Sequence, residues 1–320
     1  MTPRQAAPRA DLVGAGLIVL AAVCFGTLGP LSRFAADAGV DSLALVAWRA
    51  GLGATVVAIF IGVLLALGVA RPVRLRDIPP GDRGFVVAAA VANTILNLSV
   101  FVAFTRISIG LALLVFYLYP ALVAVVSVLW FGEQLSRLRW TALGVSFGGL
   151  VLVLAGTDGG VGRVDGLGVG LAFIGGLAQV FYVLAARHGF AHVPGPQAAA
   201  LTMGGAMTLY VLIAVATSSV AALAAPVASV QALWPVLVAG VIGAGVPTVA
   251  YITGIRMLGP SRAAILAMLE PVVGVILAAW LLAEQPTPVQ LIGGALILVA
   301  AVLLQLGPRC PVADHEAVAG

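Results

Sequence analysis

The sequence predicts an all-α integral membrane protein with ten transmembrane helices, arranged as two inverted repeats of five helices. Of the 320 residues, 62% are hydrophobic and only 9% are charged, whereas soluble domains carry about 25% charged residues. The apolar residues form continuous runs long enough to cross a bilayer as helices, unlike the alternating pattern of a membrane β-barrel. One segment of the chain also recurs 151 residues later, which indicates an internal duplication.

Ten apolar runs account for the predicted helices. They cover residues 12–31, 43–69, 84–104, 107–129, 138–155, 166–186, 198–217, 233–254, 262–282 and 289–306. These runs divide the chain into a cytoplasmic tail (1–11), a first repeat (12–155), a linker (156–165), a second repeat (166–306) and a second cytoplasmic tail (307–320). The linker reads GTDGGVGRVD, a composition typical of a flexible turn.

The duplication is clearest around two prolines. Residues 119–134 read YPALVAVVSVLWFGEQ and residues 270–285 read EPVVGVILAAWLLAEQ, which aligns Pro120 with Pro271. Because each half has five spans, an odd number, the second half enters the membrane upside down relative to the first. Inverted repeats of this kind are typical of secondary transporters, whose binding site lies near the middle of the membrane between the repeats.

All sixteen basic residues are arginines, and the formal net charge is +4. With the N-terminus in the cytoplasm, twelve arginines fall in cytoplasmic segments and three in external ones, and Arg49 lies within the second run. This bias follows the positive-inside rule and predicts two cytoplasmic termini in a bacterial plasma (inner) membrane. The arginines are scattered over short loops, so they do not form the basic patch that nucleic-acid binding requires.

Several features of the two halves resemble a known family. Each half has a proline followed thirteen residues later by a glutamate, and a short turn before that segment: Pro120 and Glu133 after Ser-Ile-Gly at 108–110, and Pro271 and Glu284 after Gly-Pro-Ser at 259–261. Over about residues 12–306, the chain resembles the EamA-type transporter family of the drug/metabolite transporter (DMT) superfamily. Arg49 also matches a basic position that is common in the second span of that family.

The resemblance implies a secondary transporter that moves a small metabolite across the plasma membrane by alternating access. The sequence Leu269-Glu270-Pro271 is similar to members that export amino acids or related solutes. One position departs from the family pattern: Thr105 stands where the second half has Arg256. This departure concerns contacts of a loop and not the fold.

The sequence contains no nucleophile–base constellation, no phosphate-binding loop and no cluster of metal ligands. We therefore predict no enzyme activity, catalytic residue, metal, cofactor or ATP-driven step. The predicted partners are a small-molecule solute and the lipid bilayer, whereas proton coupling and the choice between monomer and homodimer stay open. Two alternative functions also stay open: a non-transporting membrane receptor or assembly protein, and a lipid-modifying membrane enzyme.

Glu270 is the strongest candidate for the transport site. It is the only acidic residue deep inside a predicted span, and Pro271 follows it directly. At 1.5 Å per residue its position is about 13 Å into a hydrocarbon core about 30 Å thick. An unpaired charge is costly at this depth, so we expect the carboxyl to be neutral, hydrated or paired with a substrate amine. The alternative is a structural acid that is hydrogen-bonded to a neighbouring helix.

Other polar and aromatic side chains within the runs are candidates for the same substrate or proton pathway. Asn93 and Asn97 lie one helical turn apart, and therefore on one face. The predicted set comprises Glu270, Tyr119, Asn93, Asn97, Gln179, Tyr182, Thr248, Tyr251 and Arg49. Each has a structural alternative, which is a hydrogen bond between helices or, for Arg49, a side chain that snorkels to the interface.

Pro120 and Pro271 are the predicted helix hinges. A proline lacks the backbone donor that a helix needs and clashes with the preceding turn. We therefore expect the fourth and ninth spans to kink or break beside these prolines and to line the cavity from opposite repeats.

Overall fold

The computed structural model describes residues 6–68, 72–104, 106–107, 109–155, 165–281 and 286–306. Most of both predicted tails, the linker residues 156–164, Thr105, Ser108, Glu284 and Gln285 lie outside the described residues. Within the ranges given, the regular elements are all helical and no strand occurs, which confirms the all-α prediction.

The described ranges contain fourteen α-helices, several of which follow one another within a single span. They are α1 (Ala6–Gly26), α2 (Leu28–Asp37), α3 (Ser42–Ala66), α4 (Pro80–Phe104), α5 (Ile109–Phe116), α6 (Tyr119–Phe131), α7 (Arg137–Ala155), α8 (Gly166–Leu184), α9 (Gly195–Ala216), α10 (Val230–Gly240), α11 (Val246–Leu258), α12 (Pro260–Ala267), α13 (Glu270–Leu281) and α14 (Pro288–Leu306). Short 3-10 or π-helical segments cover Leu75–Asp77, Ala185–Gly189, Val220–Val227 and Val241–Gly245.

Eight segments of the described chain are long and apolar enough to cross a membrane. They are Asp11–Asp37, Ser42–Ala66, Pro80–Ala103, Leu111–Phe131, Gly166–Gly189, Gly195–Ala216, Val230–Leu258 and Pro260–Leu281. The protein is therefore a multi-pass membrane protein. Helices α7 and α14 correspond to the predicted fifth and tenth spans, and the total of ten stays a prediction.

The fourth and ninth spans are both interrupted. Helix α5 ends at Phe116 and α6 begins at Tyr119, whereas α12 ends at Ala267 and α13 begins at Glu270. The two interruptions are 151 residues apart, like the sequence repeat. In each case a proline is the second residue of the following helix, where its missing N–H leaves a carbonyl of the preceding helix without its usual donor.

A glycine from the first helix of the opposite repeat packs against each interruption. A Cβ atom on Gly176 of α8 would lie 3.1 Å from the Phe116 carbonyl oxygen, and one on Gly26 of α1 would lie 3.1 Å from the Glu270 carbonyl oxygen. Glycine thus lets the neighbouring helix approach the backbone where the helical ladder stops.

The packing of the helices is nearly unchanged when the two repeats are exchanged. Helix α4 packs on α8, and its repeat-mate α11 packs on α1. Helices α5 and α6 also pack on α8, as α12 and α13 pack on α1. Helix α3 packs on its own repeat-mate α9, and α7 packs on its own repeat-mate α14. Exchanging the repeats therefore leaves each of these two pairs unchanged. This pattern indicates a two-fold relation between the repeats, and it brings both interrupted spans into the middle of the bundle.

Helices α7 and α14 cross at two glycines. A Cβ atom on Gly149 would lie 2.6 Å from the Gly293 carbonyl oxygen, and one on Gly293 would lie 2.5 Å from the Gly149 carbonyl oxygen. Neither position tolerates a side chain unless the helices separate. Close contact between backbones supplies the packing that the hydrophobic effect cannot supply between helices in lipid.

The two repeats also meet at an ion pair beside the linker. The Arg106 guanidinium donates to the Asp165 carboxylate at 2.8 Å, and Asp165 caps α8 by accepting from the Leu167 N–H at 3.2 Å. The hydrogen bond from Arg106 is the largest cause that holds the pKa of Asp165 below its usual value. Because both groups are exposed to solvent, the pair contributes little to stability.

Candidate functional site between the interrupted spans

Glu270 is the first residue of α13, directly after the break in the ninth span. The N-terminal end of a helix carries unsatisfied N–H groups and a partial positive charge, both of which favour a carboxylate. Glu270 is partly accessible, although the three residues before it are buried. Glu270 is therefore less enclosed than the residues that precede it in the break.

Tyr117 faces this carboxyl from the break in the fourth span. Its hydroxyl lies close enough to Glu270 for the two groups to interact, and the tyrosine itself is only 1% exposed. Helix α6 packs against α12, so the two breaks lie side by side. A phenol of one repeat and a carboxyl of the other thus meet where both helical ladders are interrupted.

A second phenol pair extends the site toward α8 and α11. The Tyr119 and Tyr251 hydroxyls lie near one another, and the Tyr251 hydroxyl accepts from the Gln179 side-chain amide at 3.4 Å. The Tyr117 and Tyr119 rings are 5.9 Å apart, and Phe25 packs edge-on against Tyr251 at 6.1 Å. The walls of the site are therefore aromatic, with polar atoms at their tips.

A cation lies on the other side of the site, on α3. Arg49 donates from Nη2 to the Asn97 side-chain oxygen at 2.9 Å. The Asn97 amide in turn donates at 2.8 Å to the side-chain oxygen of Asn93 and at 2.8 Å to its backbone carbonyl. The Tyr210 hydroxyl completes the group with a 3.5 Å contact to the same carbonyl. Arg49 is thus held inside the bundle by the two asparagines and does not extend to the interface.

Arg49 and Glu270 attract one another electrostatically. Among the described residues, however, neither takes part in a salt bridge, so the guanidinium and the carboxyl are more than 4.0 Å apart. An uncompensated charge is costly in a dry interior. A solute or water bound to either group would stabilise it.

The distribution of tyrosine and tryptophan supports an internal site. The chain has five tyrosines, and all five are at most 5% exposed. Tyrosines of membrane proteins are usually enriched at the two bilayer interfaces. Here tryptophans occupy such positions, since Trp130 and Trp280 are each 79% exposed near the ends of α6 and α13. The tyrosines lie instead in the interior of the helix bundle.

Two of the predicted residues form no hydrogen bond, among the described residues, within the groups around Glu270 and Arg49. Tyr182 is buried on α8, and its hydroxyl makes no hydrogen bond to a described residue. Thr248 is partly accessible on α11, near Tyr251 in sequence. The other predicted residues fall into the two groups around Glu270 and Arg49.

The sequence prediction missed Tyr117 and Tyr210. Tyr117 has Met268 as its counterpart in the other repeat, so a search for matched polar positions passes over it. A signal was present in the sequence Phe116-Tyr117-Leu118-Tyr119, because aromatic residues crowd beside the helix-breaking proline. Tyr210 has a weaker signal, as the only aromatic residue of α9.

Glu133, at the end of the fourth span, belongs to a different polar group. Its carboxylate accepts from the Ser261 hydroxyl at 2.7 Å and from Arg139 Nη1 at 3.4 Å. Ser261 lies in the first turn of α12, so these bonds join the end of one interrupted span to the start of the other. Nearby, Arg262 pairs with Asp11 at 3.2 Å.

Comparison with known proteins identifies the family. The model of the EamA-like transporter family matches the chain twice, at residues 12–155 and 166–306. A chain of Archaeoglobus fulgidus named "Uncharacterized transporter" is 30% identical over 294 residues, which is 91% of this chain and 95% of that one. An uncharacterized transporter of Synechocystis sp. is 24% identical over 208 residues, which is 64% of this chain and 61% of that one.

A solved structure described as "Crystal structure of protein" shares the fold. It aligns with a TM-score of 0.75 and 22% identity, and the match covers 93% of this chain and 96% of that chain. The double match of the family model and the long match to the archaeal transporter confirm the resemblance carried by the repeated prolines. The chain is a membrane transporter and not an enzyme, and it belongs to the EamA-like transporter family.

Proposed function

We propose that the protein is a secondary transporter that moves a small metabolite across the plasma membrane by alternating access. The proposed substrate class is an amino acid or a related solute, and the proposed direction is export. Both termini are proposed to lie in the cytoplasm, with the two five-helix repeats inverted relative to one another. Proton coupling and the oligomeric state, monomer or homodimer, are left to experiment.

The observation that carries this proposal is that Glu270 and Arg49 lie within one site as opposite charges that make no ion pair with each other. An amino acid carries an ammonium group and a carboxylate a few bonds apart, so it can offer one to Glu270 and the other to Arg49. The aromatic walls around Tyr119 and Tyr251 suit an apolar or aromatic side chain, since binding sites combine apolar surface with a few placed polar groups. The similarity of Leu269-Glu270-Pro271 to family members that export amino acids supports the same class.

The two interrupted spans support alternating access. In many transporters the site is formed by discontinuous helices, whose exposed helix ends and unwound carbonyls contact the substrate. Here Glu270 stands at such a helix end, and the backbone at both breaks lies beside the tyrosines. Rocking of one repeat against the other would open this place to each side of the membrane in turn.

The decisive experiment is counterflow in proteoliposomes. Vesicles are loaded with an unlabelled amino acid, and entry of the labelled compound is followed, across a panel of neutral, acidic, basic and aromatic amino acids. We expect saturable counterflow with at least one of them. We expect none with the matching amine, which lacks the carboxylate, or with the matching acid, which lacks the ammonium group. Binding without flux would favour the receptor alternative. Repeating the assay with an imposed pH gradient tests proton coupling.

The orientation has a separate test. A reporter fused after Gly320 is expected to be cytoplasmic, and a tag inserted within residues 156–165 is expected to be accessible from outside the cell. The second half then contains an odd number of spans, as inversion requires. Finding both markers on one side of the membrane would overturn the inverted repeat.

A further inference from the structure

A groove separate from the transport site runs along the outer surface between α4 and α9. Its volume is about 420 Å³, within the usual range of ligand pockets, about 300–1,000 Å³. Its walls come from one face of each helix, including Val87 and Val91 on α4 and Leu201 and Leu209 on α9. None of the residues assigned to the solute pathway lines it.

The groove opens toward the lipid. Val87 is 63% exposed and Val91 is 40% exposed, and both lie on a span that crosses the membrane. The floor is closed where the two helices touch, since a Cβ atom on Gly205 would lie 2.7 Å from that of Ala90. From Arg83 to Val91 the groove follows α4 for eight residues, which corresponds to about 12 Å along the helix.

One end of this apolar groove is closed by arginine. Arg83, in the first turn of α4, lines the groove and is exposed. It donates from Nε to the Ile78 carbonyl at 2.7 Å and from Nη2 to the Arg76 carbonyl. Of the five donors of a guanidinium, these bonds account for two. The N-terminal end of α4 adds the partial positive charge of its helix dipole.

The charges around this end have a positive balance. Arg74 and Arg76 are exposed in the same loop as Leu75 and Ile78, which complete the groove. Two acidic residues also lie nearby, and each has a partner. Asp77 is 3.7 Å from Arg76, and Asp82 accepts from the His192 N–H at 3.0 Å. Arg83 thus lines the end of the apolar groove, and two further exposed arginines lie in the loop that completes it.

We propose that this groove binds one anionic phospholipid, with an acyl chain between α4 and α9 and the phosphate at Arg83. The apolar groove accommodates the headgroup-proximal part of a hydrocarbon chain, and the charge at its end matches a phosphodiester. Basic pockets between transmembrane helices at the cytoplasmic surface hold anionic headgroups in this way. The loop from residue 72 to 79 lies on the predicted cytoplasmic side, where a bacterial membrane presents such lipids.

The experiment measures lipid retention by native mass spectrometry. The full-length protein is purified in mild detergent, exchanged into mixtures of phosphatidylglycerol and phosphatidylethanolamine with matched chains, and scored for bound lipid. Val87→Trp fills the groove without changing charge, and Val63→Trp is its control, since Val63 is similarly exposed, at 51%, on α3. Arg83→Gln removes the proposed headgroup contact.

We expect one tightly retained phosphatidylglycerol on the wild type and on Val63→Trp. Val87→Trp should abolish that retention, and Arg83→Gln should lower it about fivefold, the effect of one cationic side chain near an anionic lipid. Equal retention of the two lipids by the wild type, or unchanged retention in Val87→Trp, would overturn the proposal. Release of the lipid by millimolar glycerol phosphate would also overturn it, because a water-soluble phosphate would then be the ligand. Solute counterflow is scored separately, so this outcome is independent of the proposed function.

Discussion

The breaks in the fourth and ninth spans have the same backbone and different chemistry. Both lie two residues before a proline, both divide a span into two helices, and both are packed by a glycine of the opposite repeat. Around the first break the side chains are aromatic, with Tyr117 and Tyr119. Around the second break stands the acid Glu270. The backbone therefore follows the duplication, whereas the polar groups differ between the copies.

This difference has an electrostatic reason. The two breaks lie side by side, so an exact copy would place a second carboxyl at position 119, close to Glu270. Two carboxylates in one apolar interior repel each other and leave both without a donor. A phenol at Tyr117 instead places near the carboxyl a hydroxyl group that is able to donate a hydrogen bond. Divergence between the repeats has thus produced one complementary site from two equivalent hinges.

The largest expected effect comes from Glu270→Gln, which makes both breaks neutral. The amide keeps the shape of the side chain but cannot attract an ammonium group or exchange a proton. We expect counterflow to fall about 100-fold, which corresponds to the loss of one hydrogen bond between charged groups. Expression and thermal stability should stay near those of the wild type, because the site carries no ion pair that would be broken.

Asp37→Asn is the matched control for this substitution. Asp37 is an exposed acid at the end of α2, far in sequence from both breaks, so the variant should transport like the wild type. Full counterflow in Glu270→Gln at every pH would instead assign Glu270 a structural role, as an acid that serves only as a hydrogen-bond partner.

The second effect concerns what the two breaks share. Pro120→Ala and Pro271→Ala each restore a backbone donor, which lets the interrupted helix close across the break. We expect each to lower the rate of counterflow about tenfold, because hinge positions control the conformational step. Solute affinity should change less than the rate. If the first break were only structural, Pro120→Ala would transport normally while Pro271→Ala would not.

Pro288→Ala provides the control for these hinges. Pro288 is the first residue of α14 and is exposed, a position where proline fits a helix start and its missing donor is not needed. Transport should be unchanged in this variant. A loss equal to that of Pro271→Ala would show that removing any proline impairs the protein, and the hinge role would fail.

Much of the fold could be predicted from the sequence because its signals are local or periodic. The apolar runs, the repeated proline and the odd number of runs per half each follow from counting residues. The position of Glu270 in a helix break could also be predicted from the sequence, since Pro271 alone disfavours a continuous helix. The EamA family followed from the same repeated positions, and the comparisons confirm it.

The partners of each polar residue could not be predicted, because they depend on packing between distant segments. Arg49 and Asn97 are 48 residues apart, and nothing in either run indicates that they meet. From the sequence alone, an Arg49 side chain that snorkels to the membrane interface was as reasonable a prediction as one that binds inside the bundle. Tyr117 was missed for a related reason: its role depends on the two breaks being adjacent, which becomes visible only once α6 packs against α12.

The smallest expected effect distinguishes the two tyrosines of the first break. Tyr117→Phe and Tyr119→Phe each remove one buried hydroxyl and leave the ring in place. The Tyr117 hydroxyl lies near Glu270, so its loss should lower counterflow about fivefold, the value of a single hydrogen bond of about 1 kcal/mol. The Tyr119 hydroxyl lies near Tyr251, so its loss should lower thermal stability and affect counterflow less. The counterflow rate of each variant is to be measured at saturating and at limiting solute, together with its melting temperature.

If Tyr119→Phe impaired transport more than Tyr117→Phe, the solute would be bound by the phenol pair near α8. Glu270 would then lie beside the site instead of forming it.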